Sequence, residues 1–365
     1  MKHLSARAPL GLRAYFTSAA KSTSSVRSSA PACSPSATRT GVAQRSSTMT
    51  RRSVLTLLGS GSVAAITSLA ACGPRDSAAS SSSAQNQNPA TPLVLTTFTV
   101  IQDMASRVAG EFCQIESITK AGAEIHDYEP TPDDLKRAQK AQLILNNGLG
   151  LERWFERFVA DSPAQRADLS EGITAIPIAE GDYQGQANPH AWMSPANGKI
   201  YVENIVRALS NLVPDHAKDF EANGDAYKGE LDNISSHLIE ELSALPENQR
   251  TLVTCEGAFS YLCRDTNMKE LYLWAVNAAD EGTPQQIAKV VEAVKAQQIP
   301  AVFCESTVSP KAMQQVANET GAVLKNDEKH LLYVDSLSEA DGPVPTYLEL
   351  LQHDADAIVS GLTGR

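Results

Sequence analysis

From Leu93 onward the chain alternates short aliphatic or β-branched runs with longer stretches of helical spacing, which predicts an α/β fold with mostly parallel strands. In the first half, the runs at 93–100, 114–119 and 142–146 read as strands. Thr131, with Pro132 at the first helical position and Asp134 three residues on, predicts a helix opened by a capping box. Another helix is expected at 152–159. Residues 215–245 contain no proline, and Leu231, Ile234, Leu238, Ile239 and Leu242 fall at helical spacing. One helix of that length is roughly 45 Å long, enough to run the height of two lobes and stiffer than flexible crossovers. Beyond it, strands expected at 251–255, 271–274, 301–304 and 330–334 alternate with helices. One helix is capped by Thr283 with Pro284 and Gln286, and another starts at Ser309 and Pro310 and stops at Gly321. The expected architecture is therefore two parallel-sheet (β/α) lobes, 93–214 and 249–365, joined by one long backbone helix at 215–246.

The front of the chain reads differently. Residues 1–48 carry seven Lys or Arg and no acid, a composition without a core, and are expected to be a disordered or non-native extension, with Met49 as the alternative start. Residues 49–72 combine a basic start, an apolar run too short for a confident membrane span and a small-residue stop, the layout of a signal peptide. The run ends at Leu69-Ala70-Ala71-Cys72, which resembles a bacterial lipobox and makes Cys72 the expected lipidated residue. Thr50-Arg51-Arg52-Ser53-Val54-Leu55 also resembles a twin-arginine export signal. Residues 73–92, rich in Ser, Ala, Asn and Gln, read as a flexible tether. These features predict an extracytoplasmic protein anchored by lipid to the bacterial cell membrane. Removing residues 1–71 takes away nine basic and no acidic groups, so the formal charge moves from -11 to -20. That sign argues against a nucleic-acid partner and favours attraction of cations.

Four polar residues far apart in sequence sit where apolar runs or proline-bounded loops meet turns: His126, His190, Glu256 and Asp335. Ligands of open parallel sheets bind beyond the carboxyl ends of strands, and Glu256 and Asp335 each directly follow an expected strand. Both acids have a plain alternative, Glu256 as a cap of the helix that follows Gly257 and Asp335 as a cap of the turn at Ser336. His126 lies five residues before a helix N-cap, and His190 lies between Pro189 and Pro195, so rigid flanks hold both. Brought together, the four would make a two-imidazole, two-carboxylate cage for one divalent ion. Glu305 and Asp280 are expected as acids behind the ligands or at the rim of that cleft, and Trp192 and Tyr333 as packing residues. His3, His216, His237, His330 and His353 carry no metal reading; His216 and His237 fall on the polar side of the connecting helix.

The phrases around these residues, ITKAGAEIHDYEPTPDD, NPHAWMSP, LVTCEGAFSY and LLYVDSLS, occur in this order and resemble the solute-binding lipoproteins of manganese, iron and zinc ABC transporters. The resemblance covers roughly residues 93 to 365. It implies a metal held in a cleft between two lobes by His126, His190, Glu256 and Asp335. It also implies a monomeric, non-enzymatic carrier that hands its cargo to a membrane permease and its ATPase.

Six cysteines occur without CxxC spacing, which argues against a thiolate metal site. Setting aside Cys33 and Cys72, Cys255 and Cys304 end two expected strands of one lobe and are the candidate disulfide. Cys113 and Cys263 are then buried thiols. An all-nitrogen-and-oxygen donor set with two carboxylates suits Mn2+ first, then Fe2+, then four-coordinate Zn2+. The zinc branch of the resembled family commonly places a His where Glu256 stands and a His-rich acidic loop before the second ligand, neither of which this chain has. Direct imidazole ligation predicts that affinity falls below about pH 6. A metallohydrolase, which needs an open coordination position and a general base, and a surface adhesin on the same scaffold are the competing classes.

Overall fold

The computed structural model describes residues 91–364, apart from Asp127, Phe158, Asp161, Asp182 and 277–281. The signal, lipobox and tether expectations, with Cys72, and the rim role of Asp280 lie outside the described residues. The first lobe begins β1 (Leu93–Thr96), α1 (Thr99–Ala109), β2 (Gln114–Ser117), α2 (Pro132–Lys140), β3 (Leu143–Asn146), α3 (Arg153–Glu156) and β4 (Gln165–Asp168). The strands form one parallel sheet in the order β2-β1-β3-β4. Strand order reverses between β1 and β3, and in open α/β sheets the crevice beyond that reversal receives ligands.

Val94, Leu95 and Leu143 to Leu145 are buried in the centre of this sheet, whereas the Gln-Arg-Ala-Asp sequence of β4 keeps its edge polar. The expected strand at 93–100 stops at Thr96, because α1 claims Thr99 and Val100 and buries Ile101, Met104, Ala105 and Val108 on one side. Thr131 caps α2 as expected: its hydroxyl accepts from the Asp134 backbone N–H, and the Asp134 side chain accepts from the Thr131 N–H. The helix expected at 152–159 is the single turn α3.

Helix α4 (Pro195–Leu212) starts at Ser194, whose hydroxyl accepts from the Asn197 N–H. A 3₁₀ turn (Pro214–His216) then leads into α5 (Ala217–Ser243), 27 residues long and so roughly 40 Å. His216 falls in the turn and stacks on Phe112, with ring centroids 3.8 Å apart, while His237 is exposed on α5. Leu231, Leu238 and Leu242 are buried along α5, but Ile239 is 42% exposed.

The second lobe contains β5 (Thr251–Glu256), α6 (Ser260–Thr266), β6 (Lys269–Trp274), α7 (Pro284–Gln297), β7 (Ala301–Phe303), α8 (Lys311–Thr320), β8 (Val323–Lys325) and α9 (Tyr347–Thr363). Parallel pairs β5–β6 and β7–β8 form separate two-stranded sheets. Thr283 and Gln286 form the second capping box, and α8 ends at Gly321 in the left-handed region, where a side chain would be strained.

The strand expected at 330–334 does not form. Its single sheet-like contact is an isolated bridge between Leu332 and Glu305. The neighbouring backbone groups are taken elsewhere: the Tyr333 N–H donates to Asp354, and the Val334 carbonyl accepts from Trp192 Nε1. The place beside β7 belongs to β8 instead.

One of three hydrophobic clusters among the described residues runs through both lobes, while the others, around Leu95, Ile144 and Phe155 and around Val253, Ile287 and Val302, lie within the first and second lobe. The shared cluster joins Val94, Ile101 and Met104 of the first lobe to Tyr201 and Ile205 of α4, Tyr227, Leu231 and Leu238 of α5, and Phe303, Leu350 and Ile358 of the second lobe. Helix α5 packs against α1, α4, α6 and α9, so it shares its buried face between lobes. Each fully buried aliphatic side chain there contributes about 1.5–3 kcal/mol.

Candidate metal centre

His126 sits in the loop between β2 and α2. That loop is fastened at its far end by the α2 capping box. At its near end Arg137 of α2 donates to the carbonyls of Ser117 and Ile118 at 2.6 and 3.2 Å. The His126 N–H donates to Glu124 Oε1 at 2.8 Å, which fixes the turn locally. His190 follows Asn188 and Pro189 directly. Asn188 Oδ1 accepts from the His190 N–H at 3.0 Å, an Asx turn, and also lies 2.9 Å from His190 Nδ1. The Asn188 amide is itself held by the Gly257 carbonyl at 2.7 Å. Because Asn188 Oδ1 can only accept, Nδ1 of His190 carries the proton and Nε2 presents its lone pair.

Glu256 is the last residue of β5, one position earlier relative to the strand end than the sequence suggested. Asp335 follows the irregular segment at 330–334, and its Oδ2 accepts from the Thr307 hydroxyl at 3.3 Å. Trp192, fully buried, packs against His190 and Phe98 with centroids 5.2 and 4.9 Å apart while its Nε1 reaches Val334. Glu305 sits behind the acids, where its Oε1 accepts from the Glu256 N–H at 3.3 Å.

The structure brings all four sequence-derived residues to one point. His126 Nε2 lies 3.1 Å from His190 Nε2, 3.3 Å from Glu256 Oε1 and 3.7 Å from Asp335 Oδ1. His190 Nε2 is 3.6 Å from Glu256 Oε1 and 3.7 Å from Asp335 Oδ1. A donor atom from each residue falls within 4.8 Å of the others. A regular tetrahedron with edges in this range has its centre roughly 2.1 Å from each corner, the length of a metal–nitrogen or metal–oxygen bond. All four residues are buried, with exposures of 6, 0, 2 and 1% in sequence order. A cavity of about 200 Å³, lined by His126, Leu149, Arg153, Trp154, Tyr183 and Val276, reaches the site from the His126 side. Larger hollows of about 610 and 620 Å³ contain none of the four.

Burial shapes the protonation of the site. It pushes Asp335 up to about 8, helped by the charge of Glu124 and opposed by the Thr307 hydrogen bond. Among the described residues Asp335 makes ion pairs only with the two imidazoles, and its Oδ1 accepts no hydrogen bond. Burial, and then the neighbouring His126, hold His190 well below the usual imidazole range. Buried acids facing a bare imidazole nitrogen are suited to a divalent ion, which balances the carboxylate charge and accepts the lone pair at once.

Asn188, Thr307 and Glu124 were not singled out from the sequence. For Asn188 a signal existed, since Asn-Pro-His has the spacing of an Asx turn that grips the following His. Cys255 and Cys304 form a disulfide with Cα atoms 5.2 Å apart, and Cys113 and Cys263 are buried free thiols.

Two α/β lobes closing on a buried set of two imidazoles and two carboxylates define a metal-binding architecture. Residues 94–361 match the family described as zinc-uptake complex component A, periplasmic, and the chain belongs to that family. It is 51% identical over 271 residues to the iron-binding protein YfeA of Yersinia pestis, covering 73% of this chain and 85% of that protein. It is 34% identical to the manganese-binding lipoprotein MntA of Halalkalibacterium halodurans, over 74% of this chain and 88% of that one. Among solved structures, the Mn-bound periplasmic metal-binding protein from Candidatus Liberibacter asiaticus superposes with a TM-score of 0.69 at 35% identity, covering 74% of this chain and 99% of that one.

Proposed function

We propose that this protein is the solute-binding component of an ABC importer. It captures one divalent transition-metal ion between His126, His190, Glu256 and Asp335 and delivers it to a membrane permease driven by its ATPase. The observation that carries this reading is the convergence of four buried donor atoms, two from each lobe, within 4.8 Å. The site reads as a carrier's and not a hydrolase's, because four protein donors surround the ion and leave no assigned place for a reacting water.

Mn2+ is the first expectation for the cargo. Carboxylates that can bind through both oxygens serve ions accepting more than four ligands. Fe2+ stands next and is favoured by the 51% identity to an iron-binding relative. Zn2+ comes third as the physiological cargo, although the affinity order of divalent ions gives it tight binding in vitro. The lobe limits 93–214 and 249–365, a monomeric state, lipid attachment at Cys72 and export by the twin-arginine route belong to the same proposal.

The test is metal analysis of protein purified without air and without added zinc, on wild type and on Asp335→Ala. Close to one Mn or Fe per wild-type chain and little in the variant supports the reading. Equal metal in both preparations removes Asp335 from the site.

A further inference from the structure

The first lobe buries an acid that the metal centre does not use. Glu152 Oε1 accepts from the Thr97 hydroxyl at 2.9 Å and from the Asn147 N–H, and its Oε2 accepts from the Gly148 N–H at 3.2 Å. Thr97 directly follows β1 and Asn147 directly follows β3, the two strands at which the sheet order reverses. One carboxylate thus ties together both strand ends at the place where open α/β sheets receive ligands. After Asn147 the chain turns through Gly148, Leu149 and Gly150 with φ of 83, 54 and 81°. The glycines adopt this left-handed backbone readily and Leu149 does not, so the turn depends on the carboxylate that grips its start. Leu149 and Gly150 in turn line the cavity that reaches His126.

Asn147 carries this rigidity to the metal centre. It is fully buried, and its Oδ1 accepts from the Tyr201 hydroxyl of α4, so Nδ2 is the donor end of the amide. That nitrogen donates to the Gly148 carbonyl at 2.9 Å and to the Pro189 carbonyl at 3.0 Å. The peptide between Pro189 and His190 is planar, and its opposite polar edge, the His190 N–H, donates to Asn188 Oδ1 at 3.0 Å. Both edges of the plane from which the His190 side chain springs are therefore held, one by Asn188 and the other by Asn147. We infer that Asn147, locked by the Glu152 carboxylate and the Tyr201 hydroxyl, is the second brace of His190 and sets metal affinity by fixing the Pro189–His190 peptide plane. The inference rests on the metal-carrier reading. Asn147, Glu152 and Tyr201 are positioning residues, acting through His190 and not on the ion. With one edge released the plane can rock, Nε2 no longer meets the ion at bonding distance, and outer-shell changes of this kind typically lower metal affinity about 10–100-fold.

The experiment measures Mn2+ dissociation constants by the free-ion electron paramagnetic resonance signal, with thermal unfolding recorded for each sample. It is run at pH 8, above the value of about 7 to which burial pushes Glu152, so that the carboxylate accepts from all three donors. The samples are wild type, Asn147→Ala, Glu152→Gln, Tyr201→Phe and His190→Ala, and His190→Ala combined with each of the first three. Asn147→Ala is expected to bind about 10-fold more weakly or worse. Glu152→Gln turns an amide N–H toward a backbone N–H, and Tyr201→Phe removes the donor that fixes the Asn147 amide; each should weaken binding about threefold or more. Because the braces act through His190, their losses should disappear once that ring is gone: beside His190→Ala each substitution should add less than about twofold. Losses of unchanged size in that background would mark a general structural effect and overturn the inference. Wild-type affinity in every single variant that folds would overturn it too, and Tyr201→Phe, which takes away one hydroxyl at nearly the same shape, keeps the test open if the other two do not fold. Failure of wild type itself to bind Mn2+, Fe2+ or Zn2+ would instead sink the metal-carrier reading, so the two outcomes are distinct.

Discussion

At the scale of single residues, the site is a set of donors whose aim depends on neighbours. Replacing His190 or Asp335 by Ala should weaken Mn2+ binding by more than about 100-fold, because even outer-shell changes cost 10–100-fold. Asn188→Ala should weaken it about 10-fold by freeing the His190 ring, and calorimetric titration reads both effects. Protonation decides the pH profile. Asp335, raised to about 8 by burial, must give up its proton to bind an ion, whereas His190, held low by burial, is already bare near neutrality. Affinity should therefore keep rising with pH to about 8, beyond the fall below pH 6 that imidazole ligation alone predicts. The folded carboxyl also holds its proton more tightly than the unfolded one does. The metal-free fold thus loses this contribution as pH climbs from the ordinary Asp range toward 8, and bound metal restores it. Titrations at pH 7 in buffers of different ionisation enthalpy should show proton release approaching one per ion. A flat dissociation constant from pH 6 to 8, with no proton released, would contradict this assignment.

At the scale of elements, close helix approach has a testable consequence. A Cβ on Gly224 of α5 would stand 2.5 Å from Val206 Cγ2 of α4, a β-branched side chain with little freedom to turn away. Alanine normally favours a helix over glycine by about 1 kcal/mol. Here Gly224→Ala should instead destabilise by roughly 1–3 kcal/mol through overpacking, and a raised unfolding midpoint would refute it. How far such elements could be read from sequence depended on whether their signals were local. Thr131-Pro132-Asp134 and Thr283-Pro284-Gln286 are complete cap signatures, and both helices begin there. Buried central strands such as β3 and β5 carry their own apolar runs. Edge strand β4 does not, because Gln-Arg-Ala-Asp is polar for solvent and pairs only by position beside β3. The apolar run at 330–334 misled for the opposite reason: Leu332 and Val334 are buried, but the backbone beside them is held by Trp192 and Asp354, not in a ladder. The four donors were legible because their phrases are distinctive, whereas Thr307 sits in ordinary sequence and becomes visible only beside Asp335.

At the scale of the whole molecule, the shared core and the donor set bear on the same motion. The four proposed donors come two from each lobe, so an ion held by them would tie the lobes together, while α5 and the shared core already join them without metal. Two lobes with independent cores would unfold separately, and an ion at their junction would stabilise each only in part. A core that runs from Val94 through Leu231 to Ile358 couples the lobes, beside the cluster each lobe packs within itself. Calorimetric unfolding of the metal-free protein should accordingly show one transition. At free Mn2+ a thousandfold above the dissociation constant, linkage adds about 4.1 kcal/mol, so the entire transition should move upward by roughly 10 °C at the few degrees per kcal/mol typical of chains this size. The same addition should leave Asp335→Ala nearly unmoved. Two resolved transitions, with metal displacing one of them alone, would mean that the core seen across the lobes does not couple them and that closure is free to be large.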